Sequence, residues 1–557
     1  MKRNFISLLL LSAFVLNSAV WGQVAVKLTP DERQTVAGVT ADQLRSYLYF
    51  VASDEMEGRD TPSRGLDTTA KFIGMNLQRW GFKPAGDDGT FYQHIDLLRY
   101  KINPAATNAS IGGQQLVWGT DYLAAANAGS VTSAPLVFGG NGWFLKSKNM
   151  DPLAGVDVKG KVVVVYAEPS PKGMSFGQLR ATGKQGVDWM DPTAYAKQNG
   201  AVGIIFLATP GTVNSWDRVR RQRETGGGYF VEKLRDVKPD NFPSVTLSQK
   251  QSESLFTCES TNLDAIVKAY NAGDALKTFA FGGAKTATIN IAADADRGRT
   301  QNVVAIWEGS DLVLKNEMVA IGAHYDHIGL SQNPNATDKI NNGADDDGSG
   351  TVSVLSIAEA LAKAPIRPKR SVLFVWHCGE EKGLWGSQYF NTFPTVNIKN
   401  VIAQLNIDMI GRSQNPNNII KCDRPGKPCN EDLSKANEIY VIGKDMMSST
   451  LGGVVDAVNK GYLNLGYNTR YDDPNDKNRF FFRSDHFNYA LNGIPITFWF
   501  DGVHEDYHQP GDEPQKIDYD KMEKVARTIM LTLLELTDLN ERPKIDKQLP
   551  PELSTRN

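Results

Sequence analysis

Five side chains of metal-binding type punctuate the C-terminal half of this 557-residue chain: His324, Asp346, Glu381, Asp408 and His508. A sixth acid, Glu380, stands beside the third. Two imidazoles and three carboxylates are the donors that a co-catalytic pair of hard-to-borderline divalent cations requires. A glutamate next to a ligand is where a general base would sit. The chemistry implied is metal-assisted hydrolysis, in which two ions share a water and lower its pKa while one polarises the scissile carbonyl.

Residues so far apart in sequence need a scaffold that gathers them. Met318-Val319-Ala320-Ile321-Gly322-Ala323 reads as a strand running into His324, and Ser371 to Trp376 as another just before Glu380 and Glu381. Ile402 to Ile407 ends at Asp408, and Pro495 to Phe500 leads into the loop that carries His504 and His508. From Asn302 onward such strands alternate with helical patterns, which predicts an α/β fold with a mostly parallel open sheet flanked by helices. Ligands of such sheets bind beyond the carboxyl ends of the strands, so these residues are expected on one rim. Asp346 arrives within Gly343-Ala344-Asp345-Asp346-Asp347-Gly348-Ser349-Gly350, a glycine-rich turn opening a helix with Val354, Leu355, Ala358 and Leu361 as apolar positions. Upstream, Thr40 to Gly81 predicts two helices, the second with Ala70, Ile73, Leu77 and Trp80 on one face and a stop at Gly81. Residues 131 to 262 change character. Apolar runs such as Val162 to Tyr166 and Val202 to Leu207 alternate with Gly, Pro and Asp turns, which predicts a compact strand-rich module.

Each motif alone has a plainer reading. A histidine after a strand is usually a hydrogen-bonded loop residue, and an acidic triplet is commonly a helix cap. A Glu-Glu pair is most often surface charge, yet Lys382-Gly383-Leu384-Trp385-Gly386 is a poor sequel for a solvated face. The convergence of all of them at strand ends outweighs the single readings.

Composition narrows the function classes. A hydrophobic content of 41% with 22% charged residues is that of a globular protein, and 557 residues predict two or three domains. With 60 basic against 63 acidic side chains there is no electrostatic footprint for nucleic acid. Lys2 and Arg3, the apolar run Phe5 to Val20, and Trp21-Gly22 before Gln23 read as a signal peptide over residues 1–22. The run is short for a bilayer span, so no stable membrane insertion is expected after cleavage, and the mature protein is expected in the periplasm or outside the cell. Only four cysteines are present. Cys422 and Cys429 flank a turn-rich segment that a disulfide could staple, and Cys378 reads as a packed thiol rather than a nucleophile. Arg218, Arg220, Arg221 and Arg223 beside Gly226-Gly227-Gly228 read as a solvated basic stretch, with a mobile carboxylate-gripping loop as the functional alternative.

Five stretches carry a family resemblance. They are Ala323-His324-Tyr325-Asp326-His327, Asn342 to Gly350, Gly379-Glu380-Glu381-Lys382-Gly383-Leu384, Asn406-Ile407-Asp408-Met409-Ile410-Gly411, and Tyr507-His508-Gln509-Pro510-Gly511-Asp512. In this order they resemble the di-zinc exopeptidase family of bacterial leucyl-type aminopeptidases and glutamate carboxypeptidase II. Asp157-Val158-Lys159-Gly160-Lys161-Val162-Val163 and Ala196 to Ala201 are similar to the protease-associated (PA) domain often inserted in relatives. The resemblance implies that Asp346 bridges two Zn2+ ions, for which Co2+ or Mn2+ could substitute. His324 and Asp408 would complete one site, Glu381 and His508 the other. Asp326 would fix the tautomer of His324. Glu380 would take a proton from the bridging water, and Tyr507 would donate to the oxyanion. His504 competes with His508 as ligand, while His327, His377 and His486 receive no role.

The expected organisation is a signal peptide (1–22), the first part of the peptidase domain (23–130), a PA-like β-rich insert (131–262), the main part with the metal site (263–545) and a C-terminal tail (546–557). The expected function is an exported aminopeptidase acting on peptide substrates. Its competitors are a carboxypeptidase or dipeptidase of the glutamate carboxypeptidase type, a glutaminyl cyclase, and an inactive receptor-like binding protein.

Overall fold

The computed structural model describes residues 28–554 apart from 236–240, 284, 332, 334 and 423–428. The expected signal peptide lies outside the described residues. The chain divides into two compact units, one made of the chain up to Ile95 together with Thr300–Asn557, the other of Asp96–Arg299.

The first unit is built on a mostly parallel sheet. Among its strands are β1 (Ala293–Trp307, which enters the unit at Thr300), β2 (Met318–His324), β3 (Ser371–His377), β4 (Val401–Ile407), β5 (Glu438–Ile442), β6 (Gly466–Asn468) and β7 (Ile496–Phe500). The spatial order is β1-β3-β2-β4-β7-β5-β6. β2 pairs in parallel with β3 and β4, and β4 with β7, whereas β1 against β3 and β5 against β7 are antiparallel. Strands β2, β3, β4 and β7 are buried along their whole length. This is why they read as continuous Val, Ile and Phe runs rather than alternating ones, for a parallel sheet is covered on both faces. The chain leaves β2 toward β3 on one side and leaves β4 toward β5, beyond β7, on the other, so the crevice of this sheet opens between the ends of β2 and β4. Gly322 pairs with Asn406, which carries His324 and Asp408 out of the sheet as neighbours.

Helices pack on this sheet. α1 (Ala41–Val51) and α2 (Arg64–Arg79) fill the predicted upstream region, and Thr40 and Ser63 cap them by accepting from the amides of Gln43 and Leu66. Ala70, Ile73 and Leu77 are buried as expected, while Trp80 sits half-buried at the C-cap. α3 (Gly350–Lys363) is buried from Gly350 to Leu361 and packs against β2. α4 (Tyr519–Asp538) packs against α1 and α3. No described helix is long and apolar enough to cross a membrane. In the C-terminal tail, Leu549 packs against the apolar cluster in which Leu553 is buried.

The second unit has its own sheet, whose parallel centre is formed by the strands Gly129–Phe138, Val162–Val165, Gly203–Phe206 and Ser244–Leu247. It spans more chain than 131–262. The strand Asn108–Ile111 pairs with Thr286–Ile291, which in turn pairs with Gly129–Phe138, and such long-range ladders leave no local composition signal. The arginine-rich stretch is not a loop. Arg218, Arg220, Arg221 and Arg223 lie on the helix Pro210–Thr225, where Thr209 is the N-cap and Arg220 pairs with Glu224 one turn on.

Candidate metal centre

The site forms where four strand ends and one helix N-terminus meet. His324 closes β2, with its amide donating to Asp347 Oδ2 (3.1 Å) and its carbonyl accepting from the Thr351 hydroxyl (2.6 Å). The ring is thereby aimed. Its Nε2 faces Asp346 Oδ1 at 3.3 Å, Asp408 Oδ2 at 3.7 Å and Glu380 Oε2 at 4.0 Å. The opposite nitrogen, Nδ1, lies 3.2 Å from the main-chain carbonyl of Asp326 and 3.5 Å from its carboxylate. The closer partner is thus the backbone of Asp326. Its carboxylate has other work: Oδ1 accepts from the Glu380 amide (3.1 Å) and Oδ2 from the Thr61 hydroxyl (3.1 Å).

The acidic triplet is not a solvated cap, for all three carboxylates are buried and each points a different way. Asp345 accepts from the Gly411 amide (2.7 Å) and lies 3.4 Å from His504 Nε2. Asp347 accepts from the amides of His324, Gly350 and Met409, which ties β2, α3 and the exit of β4 together. Asp346 alone turns to the cluster. Its amide and that of Asp345 donate to Asp512 (3.1 and 3.0 Å), which fixes the backbone under it. Asp346 Oδ1 faces His324, and Oδ2 faces His508 Nε2 at 3.1 Å. His508 Nε2 is also 3.1 Å from Glu381 Oε2, and Glu381 Oε1 is 2.9 Å from His327 Nδ1. His508 and Met409 both hold left-handed backbone (φ +57° and +58°), a conformation that ordinary residues adopt where the surroundings impose it.

His508 therefore reaches the cluster, whereas His504 is turned toward Asp345. His377 is buried beside the Tyr489 hydroxyl and His486 is stacked on Phe498; burial pulls both down to about 3. Burial pushes the Cys378 thiol up, which removes the thiolate a cysteine nucleophile would need.

Two triads share Asp346: His324, Asp346 and Asp408 on one side, and His327, Asp346 and Glu381 on the other, with His508 touching the latter two acids. The atoms His324 Nε2, Asp346 Oδ2, Glu381 Oε1 and His508 Nε2 are buried without a hydrogen-bond partner in the structure. Buried polar atoms are normally satisfied, so several orphans facing one another mark a place for a cation. Ligand atoms held tetrahedrally at zinc distances lie roughly 3.3 Å apart, close to the separations seen here. The donor set fits a borderline divalent ion.

The electrostatics divide the two neighbouring glutamates. Burial raises Glu380 well above the usual carboxylate range, and the charges of Glu381, Asp408 and Asp485 add to this. Burial acts in the same direction on Glu381, but the imidazoles of His327 and His508 override it and hold the group down at about 2. Adjacent acids driven apart in this way are how one protein equips a proton carrier beside a permanently charged partner. For His508, burial opposes the cation, yet Asp346 and Glu381 lift it to about 10.

Two residues close the wall. The Arg483 guanidinium donates to the Tyr507 hydroxyl (2.9 Å), and the Tyr507 ring stacks on His508 with centroids 3.9 Å apart. They border a cavity of about 30 Å3 reached by Asp346, Glu380 and Asp408 and walled by Phe480, Phe498, Phe500 and Val503. A larger cavity of about 620 Å3 in the second unit, between Trp143 and Trp189, contains none of the candidate ligands. Size is therefore a poor guide here.

Sequence reasoning passed over His327, Arg483 and Arg59. Strand alternation would turn His327 away from His324, but β2 ends at His324 and the turn brings both rings in. Arg483 follows Phe480-Phe481-Phe482, a run that reads as plain core. Arg59 lies in the Ser53-Asp54-Glu55-Met56-Glu57-Gly58-Arg59 stretch and is fully buried.

Residues 302–533 match the model of peptidase family M28. Curated relatives include the leupeptin-inactivating enzyme 1 of Streptomyces exfoliatus, 28% identical over 39% of this chain and 38% of that protein. Leucine aminopeptidase 1 of Ajellomyces capsulatus is 28% identical over 40% of this chain and 53% of its own length. The match spans between about a quarter and three fifths of the length of the curated relatives. Among solved structures, an aminopeptidase from Aneurinibacillus sp. strain AM-1 covers 93% of this chain and 97% of its own at 16% identity, with a TM-score of 0.47. A zinc aminopeptidase from Bacillus subtilis covers 92% and 98% at 16% identity, with a TM-score of 0.45. The matched segment 302–533 carries every candidate ligand, so the likeness to peptidase family M28 falls on the part of the chain that builds the site.

Proposed function

We propose that this protein is an exported, zinc-dependent aminopeptidase that removes N-terminal residues from peptides. The observation that carries the reading is the convergence of donors from His324, Asp408, Glu381 and His508 on the shared Asp346, those of His324, Glu381 and His508 orphaned, with Glu380 Oε2 at 4.0 Å from His324 Nε2 beside them. His324, Asp346 and Asp408 would hold one ion, and Asp346, Glu381 and His508 a second. Such a pair supplies Lewis-acid polarisation of the scissile carbonyl and makes water acidic enough to attack near neutral pH.

The remaining work falls to side chains. Glu380 accepts a proton as the water oxygen bonds to the carbonyl carbon, then delivers it to the amine nitrogen as the C–N bond breaks. Its amide is anchored on Asp326, which also holds His324, so base and ligand share one support. Tyr507 is raised above its usual range by burial and therefore keeps its proton; it donates to the developing oxyanion while Arg483 donates to its oxygen. The apolar wall of Phe480, Phe498, Phe500 and Val503 beside Glu380 and Asp408 supports an apolar first residue of the substrate. The Cys422–Cys429 disulfide supports export, since such bonds persist in oxidising compartments.

One observation favours a second reading. Arg483 borders the same cavity, and a guanidinium there could hold a carboxylate, as a carboxypeptidase or dipeptidase would need. A panel of aminoacyl-anilides against acyl-Glu dipeptides separates the two. Glu380→Gln is expected to abolish turnover and leave the metal content of the purified protein unchanged. Loss of metal in Glu380→Gln with retention in Glu381→Gln would reverse their roles. Cleavage confined to acyl-Glu dipeptides would replace the aminopeptidase reading.

A further inference from the structure

His327 is sealed inside the first unit, with a fully buried ring. Its amide donates to the Arg59 carbonyl (3.2 Å), which sets the turn after β2. The loop that brings Asp346 passes directly over the ring at Gly343. A Cβ there would lie 2.5 Å from His327 Cγ, so only glycine lets the two segments meet this closely. The ring edge approaches the His508 ring at 5.6 Å between centroids, with planes at 71°.

Its polar atoms are oddly placed for a packing residue. Nδ1 lies 2.9 Å from Glu381 Oε1 and 3.8 Å from Asp346 Oδ2. Despite these approaches, His327 Nδ1, Glu381 Oε1 and Asp346 Oδ2 all lack a hydrogen bond of acceptable geometry. The atoms are near one another but not aimed at one another. Donors that share an ion at about 2.05 Å are roughly 2.9 Å apart when they subtend a right angle and roughly 3.3 Å apart in a tetrahedron. The contacts of 2.9 Å from His327 to Glu381 and 3.1 Å from His508 to Glu381 and to Asp346 fall on that scale.

We propose that His327 is an additional imidazole ligand, binding through Nδ1 the ion held by Asp346, Glu381 and His508. The inference rests on the metallopeptidase reading and deepens it. It makes the two ion sites unequal: His324 is the lone nitrogen donor on one side, while His327 and His508 supply two on the other. Extra imidazole favours Zn2+ or Co2+ over oxygen-seeking Mn2+ at that site, and makes it the tighter one.

The test is a Co2+ titration of the metal-free full-length protein, followed by visible absorption, which reports both affinity and ligand field. The wild-type protein is expected to take up two equivalents in distinguishable phases. In His327→Ala one phase should weaken at least tenfold and change its spectrum, and the other should keep its affinity. His327→Asn retains an amide that can donate to Glu381 but is a poor ligand, and it should behave like His327→Ala. If His327→Asn instead restores wild-type affinities and spectrum, His327 acts only by hydrogen bonding and the proposal falls. Unchanged affinities and spectra in both variants, beside a wild-type protein that binds two ions, also overturn it and leave the peptidase reading standing. A wild-type protein that takes up no cobalt removes both.

Discussion

Replacing Arg59 by Met should unsettle the metal loops from a distance. The Arg59 side chain is fully buried and meets only backbone carbonyls: Tyr325 at 3.0 Å, Val51 at 2.7 Å, Asn342 at 2.7 Å and Gly343 at 2.9 Å. Tyr325 follows His324 directly, and Gly343 opens the turn that carries Asp346, so one guanidinium joins the two loops to the end of α1. Hydrogen bonds to a charged group are each worth about 1.5–3 kcal/mol, and the methionine would leave the Tyr325, Val51 and Asn342 carbonyls without that donor, while Gly343 keeps the amide of Gly348. Against that nominal loss stands the relief of no longer burying a cation, a penalty visible in the Arg59 pKa, which burial pulls down to about 10. That relief is several kcal/mol, so a net loss of about 3–5 kcal/mol is expected. Arg59→Lys should recover less than half of it, because one ammonium cannot serve carbonyls on both sides of a planar fork. Denaturant melts of the metal-loaded protein measure the stability change, and competition with a chelating dye measures the metal affinity. An Arg59→Met protein within about 1 kcal/mol of wild type, with unaltered metal affinity, would refute the idea that this side chain carries structural load.

Three further outcomes are expected. Burial, aided by Asp326 and Asp408, raises Asp485 from 3.8 to about 7, so the folded state holds its proton more tightly than the unfolded chain does. Its contribution to stability is therefore present below pH 3.8 and lost as pH rises to about 7, a loss of up to roughly 4 kcal/mol. Asp485→Asn should flatten that window, and melts at pH 5 and pH 8 that shift equally in variant and wild type would count against it. Tyr507→Phe should lower kcat by about 10²–10³ with little change in metal content, as loss of one oxyanion donor does; an unchanged kcat would free Tyr507 of that role. Removing metal with a chelator should lower the melting temperature reversibly, since an ion present at 100 times its Kd adds about 2.7 kcal/mol per site.

Much of this molecule was open to reading along the chain, and the reason is local. Strands β2, β3, β4 and β7 are covered on both faces, so each announces itself as an apolar run, and His324, Glu381 and Asp408 stand at or just beyond the ends of three of them. The helix caps Thr40 and Ser63 are equally local. Where a contact joins distant segments, residue type says nothing about the partner. Asp345, Asp346 and Asp347 are chemically identical in sequence, yet only the fold turns one toward His324 and His508 and the others toward His504 and a set of amides. His327 carries no signal that distinguishes it from His377, although one meets Glu381 and the other Tyr489. The extent of the second unit was likewise hidden, because Asn108–Ile111 and Thr286–Ile291 pair across most of its length. Sequence alone determined which segments become strands and helices and which side chains could bind a cation, since hydrophobic period and donor chemistry are properties of single segments. Tertiary structure alone decided which donors meet and which acid ionises, because burial and proximity exist only once distant segments are packed together.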